Sequence, residues 1–250
     1  MDTLKGLKLQ KVALCSGFFF LAFIGIGWLG VGHFIMPAHA DLTLEETLQY
    51  FTVDYQWQNI WGNTCLIIAS AFLCPTSVMM GLLFSDVEGR HPVWSICVAV
   101  GGLGIALIIF LNGCAWMTCA YRPWPEGDVV QSWSDWAWLA FLRGWVVLEL
   151  EMVAATIVSM NYKNRVIPRW FSYASMVGML VLMGAQGIAF FQSGPFAYHG
   201  LAGFYLPMAV WGLWFVGETV FWLKEVGRRK AELLAAHPEL AVEEDDDDED

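Results

Sequence analysis

The sequence predicts an all-α, polytopic integral membrane protein with six transmembrane helices and both the N-terminus and the C-terminus cytoplasmic. Three observations carry this expectation. The 250 residues are 57% apolar and only 15% charged, with a mean hydropathy of +0.52, a composition no single soluble domain needs. Apolar runs of about twenty residues or more recur along the chain, each long enough to cross the hydrocarbon core of a bilayer. The basic residues also segregate. With both termini inside, Lys5, Lys8, Lys11, Arg90, Lys163, Arg165, Arg169, Lys224, Arg228, Arg229 and Lys230 all face the cytoplasm, as the positive-inside bias requires. Of the other basic residues, Arg122 falls outside and Arg143 falls within the membrane.

The net charge of -11 describes one end of the chain. Glu243 to Asp250 is an unbroken run of eight acidic residues, and without it only -3 remains. The expected organisation is a transmembrane bundle over 1–230 and a disordered acidic cytoplasmic tail over 231–250. The tail lacks the glycine and ligand spacing of an EF-hand loop, which leaves solvation, a basic partner or weak cation binding as its uses. No basic patch with interleaved aromatics points to nucleic acid.

The first span is expected over 12–36, behind the cationic flank Lys5, Lys8 and Lys11, with Gly17, Gly25, Gly27 and Gly30 thinning one side for close packing. A secretory signal cleaved after Ala40 is the competing reading, from the small residues Ala38 and Ala40. Against it, the apolar run is much longer than a signal core of 7–15 residues. The segment 41–60 holds Asp41, Glu45, Glu46 and Asp54 and no Lys or Arg, and its start resembles a helix N-terminus with acidic first-turn residues. Its aromatics Tyr50, Phe51, Tyr55 and Trp57 suit a membrane surface.

The second span, 61–84, contains Pro75, which bends a helix and needs a neighbour to satisfy the freed backbone. The third, 93–119, carries Gly101, Gly102 and Gly104 as packing surface. These glycines are not a phosphate loop, having no preceding strand and no following Lys-Ser/Thr. An aromatic, proline-rich loop leads to the fourth span, 136–160. A short basic loop precedes the fifth, 170–192, and an uncharged Gly/Pro loop with Tyr198 and His199 precedes the sixth, 204–223. Trp57, Trp61, Trp116, Trp124, Trp133, Trp136 and Trp138 gather near the outer interface as an aromatic belt. No internal repeat supports an inverted-repeat transporter.

The ionisable residues inside the spans are the candidate site. Such groups are costly at membrane depth and face the bundle interior, a partner or a cavity. They are Arg143, Glu149 and Glu151 in the fourth span and Glu218 in the sixth, with Asn112 and Gln186 as neutral polar companions. None of the three in the fourth span is spaced i,i+3 or i,i+4, so each must find its partner on another helix. Glu149 and Glu151 lie about 160° apart around a helix, so at most one shares a site with Glu218. One arginine cannot neutralise three carboxylates, and a proton or a bound cation must make up the difference. The structural alternative is a set of interhelical hydrogen bonds that orients the bundle. Arg143 also has a simpler outlet, snorkelling to the surface or stacking on a nearby tryptophan.

His33, His39 and His199 fall on the outer side, without the His-x-x-x-His or His-Cys spacing of a metal or haem site, so no metal and no cofactor is assigned. The six cysteines sit in apolar runs without a Cys-x-x-Cys. They read as small hydrophobes, with Cys65 and Cys119 the one pair placed to form a disulfide. No catalytic triad or nucleophile elbow is present.

The expected function is that of a non-enzymatic multi-pass protein of the plasma membrane, an assembly or accessory component. Its partners are the lipid bilayer and other copies or other chains, through small-residue helix faces. Two alternatives compete with it: a small proton- or cation-linked transporter using the buried carboxylates, and an intramembrane enzyme acting on a lipid or quinone.

Overall fold

The computed structural model describes residues 3–121, 127–161 and 166–240. The acidic run 243–250, the loop residues Arg122, Trp124, Lys163 and Arg165, and the second half of the expected tail (241–250) lie outside them. The described residues are 85% helical, without a strand among them. Its helices are α1 (Leu4–Ala22), α2 (Leu44–Gln49), α3 (Gln56–Glu88), α4 (Val93–Tyr121), α5 (Gly127–Arg143), α6 (Val146–Asn161), α7 (Arg169–Leu182) and α8 (Leu206–Ala236). α1 runs on as a widened π-type stretch to Val31, α7 tightens to 3-10 turns as far as Phe190, and π-type turns from Leu201 lead into α8. Five of these units are long and apolar enough to cross a membrane: 4–31, 56–88, 93–121, 169–190 and 201–236.

The stretch expected as a fourth continuous span is two helices. α5 ends at Arg143, and α6 begins at Val146 after a turn through Gly144 and Trp145. The turn is held by Gly144 N–H to the Ala140 carbonyl (2.9 Å) and Val147 N–H to the Gly144 carbonyl (3.1 Å). A side chain at Gly144 would meet the Ala140 oxygen at 2.4 Å and Ile108 at 2.8 Å, so only glycine closes this turn against α4. At the other boundary, α8 continues to Ala236, and residues 231–236 belong to that helix rather than to the tail.

The element ends fix an alternating layout. Arg229 at the end of α8 donates to Asp86 near the end of α3 (2.7 Å), and Glu88 caps α4 by accepting from Trp94 N–H (3.1 Å) and Ser95 N–H (2.7 Å). These mark one end of the bundle. At the opposite end the Gln56 amide donates to the Ala120 carbonyl (3.0 Å), and the Tyr205 hydroxyl donates to the Ile35 carbonyl (2.8 Å). α2 starts where its acidic residues imply. Thr43 and Glu46 form a reciprocal capping box, and the hydrogen bonds from Thr43 hold the Glu46 carboxyl below its ordinary pKa.

Local chemistry explains the close packing. Pro75 lies inside α3, and the Ser16 hydroxyl of α1 donates to the nearby Phe72 carbonyl (2.8 Å) and shares a hydrogen bond with Thr76 (2.9 Å). The neighbouring helix thus supplies polar groups beside the proline. The core at the Tyr205 end is aromatic. Trp28, Phe34, Trp116, Trp138 and Phe141 are buried and mutually packed, with centroids 4.8 to 5.6 Å apart for Trp28–Phe34, Trp28–Trp116 and Trp116–Trp138. This corrects the expected belt. Trp57, Trp61, Trp133 and Trp136 are exposed and suit an interface, but Trp116 and Trp138 are interior. All six cysteines are free. Cys65 packs under Gly27, whereas the Cys119 thiol donates to the Val130 carbonyl in α5, so the two face different neighbours and the one candidate pair is not bonded.

Candidate functional site

The break between α5 and α6 changes the meaning of the charges around it. Arg143 occupies the last turn of α5 and is exposed; Glu149 occupies the first turn of α6 and is half-buried. A cation at a helix C-terminus and an anion at an N-terminus are each favoured by the helix dipole. The Gln186 amide donates to the Arg143 carbonyl (3.4 Å) and lies near Glu149, one of whose carboxyl oxygens is buried without a hydrogen-bond partner. Arg143, Glu149 and Gln186 therefore form one cluster around the turn, resting on local interactions.

Glu151 turns the other way. It is 2% exposed and packs against the glycine face of α4, where a Cβ on Gly101 would stand 2.7 Å from the Glu151 Cβ and one on Gly102 would stand 3.0 Å from its Oε1. The absent side chains of Gly101 and Gly102 are what make room for this carboxyl. Glu218, from the middle of α8, is also 2% exposed, and it lies close enough for its charge to act on Glu151. Glu151 Oε1 and Glu218 Oε2 are buried without a hydrogen-bond partner. Ser77 of α3 is beside the same glycines, but its hydroxyl donates to its own helix at the Leu73 carbonyl (3.0 Å). Among the described residues no basic side chain acts on either carboxyl.

The six sequence candidates thus divide into three groups. Glu151 and Glu218 converge, as the 160° argument allows for one glutamate of the two. Arg143, Glu149 and Gln186 form the turn cluster. Asn112 belongs to neither: it lies ten residues along α4 from Gly102, about 15 Å at 1.5 Å per residue. It is fully buried and donates to the Ile108 carbonyl (2.7 Å), with its amide oxygen unpartnered. Asn59 and Asn63, one turn apart on α3, are in the same state and were not singled out by the sequence. Their four-residue spacing was the available signal.

Compared with protein-family models, with curated proteins and with solved structures, the chain matches none. Chemistry alone must therefore carry the functional reading. Two buried carboxyls close enough to interact, with no basic side chain acting on them among the described residues, favour a bound proton or a small cation to relieve their charge.

At the Tyr205 end, two of the three histidines meet. His39 and His199 stack with centroids 4.1 Å apart and planes 7° from parallel, and Asp41 Oδ1 stands 3.7 Å from His39 Nδ1. Their ligand atoms lie within 4.8 Å of one another. Nevertheless this is a hydrogen-bonded stack and not a ligand set. A metal must lie near the plane of each ring it binds, which two parallel stacked rings do not share. In addition, His199 Nδ1 already accepts from Ala40 N–H (3.0 Å). His33 is elsewhere, stacked on Tyr55 at 4.2 Å with a positive φ of 63°.

Proposed function

We propose that the chain is a six-crossing plasma-membrane protein with both termini cytoplasmic, and that it couples its activity to a proton or small cation held between Glu151 and Glu218. The fourth crossing is then the broken pair α5 and α6. One observation carries the reading: two buried carboxyls close enough to interact, each with an oxygen left unpartnered and, among the described residues, no basic side chain acting on them. A carboxyl retained at membrane depth without a protein partner points to an exchangeable one. The broken crossing supports it, since interrupted helices in membrane proteins stand where backbone lines a protein-enclosed site.

The test is flux in liposomes containing the purified full chain, read with a pH-sensitive dye under an imposed proton gradient and again with sodium or potassium gradients. Wild-type protein is expected to raise flux of a proton or cation above protein-free vesicles. Glu218→Gln and Glu151→Gln are expected to remove the increase while leaving the folded protein's elution volume unchanged. Wild-type vesicles no leakier than empty ones, or full flux in both variants, would overturn the reading.

An assembly role keeps one specific observation. Most small-residue faces are used inside the bundle, as Gly101 is against Glu151 and Gly178 against Val210, but Gly25 and Gly212 have no neighbouring atom near their missing Cβ positions. They line an apolar cleft of about 330 Å³ between α1 and α8, bordered by Leu29, Met208 and Trp211. A helix of a partner chain docks on such a surface. A detergent-extracted mass of one chain, with no co-purifying subunit, would remove this reading.

A further inference from the structure

The His39–His199 stack belongs to no part of the proposed cation site, and it joins two segments far apart in sequence. On one side is the strap after α1, residues 32–43; on the other is the loop 191–203 that leads into α8. The join has three parts. Ala40 N–H donates to His199 Nδ1 (3.0 Å), the two imidazoles stack at 4.1 Å, and Asp41 flanks His39 at 3.7 Å. Next to it, Tyr198 stacks on Trp138 at 4.9 Å with planes 5° apart, anchoring the loop on the aromatic core. Ala40, Asp41 and Tyr198 also form one wall of a polar cavity of about 430 Å³, whose other walls include Gln131, Asp135 and Gln192.

We infer that this join is an acid-released latch. Its hydrogen bond requires a lone pair on His199 Nδ1, so it exists only while His199 is neutral. A proton on that nitrogen would set one N–H against another at 3.0 Å. It would also place an imidazolium face to face with His39, which repels it whenever His39 is itself charged and paired with Asp41. Protonation therefore opposes both contacts at once. The groups acting on His199 are few: burial and His39 lower its pKa, and Asp41 raises it. Asp135 and Tyr50 reach the neighbouring Tyr198, and no Lys or Arg among the described residues acts on His199.

The sign follows from the lowered pKa. Below the ordinary histidine value of about 6.5 the released loop binds a proton more readily than the latched one. The latch is thus at full strength above that value and weakens as pH falls through it. Release frees the loop 191–203 from the strap and opens the adjoining cavity wall. The latch stands independently of the Glu151–Glu218 reading.

Hydrogen exchange of the full chain in lipid nanodiscs tests it, read at the Ala40 amide and over residues 195–203, and corrected for the intrinsic pH dependence of exchange. Between about pH 7.5 and about pH 5, protection there is expected to fall at least tenfold, as a local opening gains population. In His199→Asn, an amide oxygen takes the place of Nδ1 as a non-titrating acceptor, and protection is expected to stay high at both pH values. In His199→Phe, the ring remains without an acceptor, and the segment is expected to exchange fast at both. Equal wild-type protection at the two pH values, or an acid response that survives in His199→Asn, would overturn the proposal.

Discussion

Glu149 and Glu151 are two residues apart on one helix and live in opposite circumstances. Glu149 lies in the first turn of α6, half-exposed, beside Gln186 and beyond a turn that also frees Arg143 to the surface. Glu151 lies one step further in, 2% exposed, against bare glycine backbone and another carboxyl. The turn region handles charge by ending helices where charge is wanted. For the interior pair, no basic side chain among the described residues acts on either carboxyl. One oxygen of Glu149 is also without a partner, so what separates the two is full burial at Glu151 against partial exposure at a helix start at Glu149.

Three substitutions break or sharpen that contrast. The largest effect is expected from Gly101→Val. Its Cβ would fall 2.7 Å from the Glu151 Cβ and 2.9 Å from the Val147 carbonyl oxygen, both parts of α6 that cannot swing aside. A loss of about 1–3 kcal/mol in denaturant unfolding follows from overpacking, and unchanged stability would mean that α4 and α6 do not pack as described. Next is Glu218→Met, which removes a buried carboxyl for a side chain of similar length. A gain of about 1 kcal/mol is expected because an uncompensated polar group leaves the interior. Should stability instead fall, the pair is structural glue and the contrast with Glu149 disappears. The smallest change is expected for Glu149→Gln, within about 0.5 kcal/mol of wild type in unfolding and with flux retained, as for substitutions away from buried networks.

The sequence showed the helices and concealed the break. Apolar length is a robust signal, and the runs at 12–36, 61–84 and 93–119 fall within real helices or their direct continuations, apart from the last few residues of the first. The run 136–160 is equally apolar, so hydropathy alone joins α5 to α6. The pointer was there in a different form, since Arg143 next to Gly144 places a charge and a flexible residue in mid-run. Angular reasoning correctly separated Glu149 from Glu151 because both belong to α6. It could not rank them, since burial depends on which neighbour presents glycines. Trp116 and Trp138 show the same limit. Tryptophan suits an interface and a core alike, and only the ring packing around Trp28 decides between them.

The packed indoles have an optical consequence. Trp28 and Trp116 have ring centroids 5.6 Å apart, and Trp116 and Trp138 are 4.8 Å apart, all three fully buried. Chromophores that close share their excited states, so the trio absorbs as a coupled unit and shows a strong near-ultraviolet dichroic couplet when its geometry is fixed. Their indole N–H groups lack hydrogen-bond partners, which shifts their emission to the blue of solvated tryptophan. Loss of side-chain packing erases such a signal while leaving helical dichroism in place. The protein therefore carries an unlabelled reporter of its own tertiary order, located beside the loop that holds Tyr198 and His199.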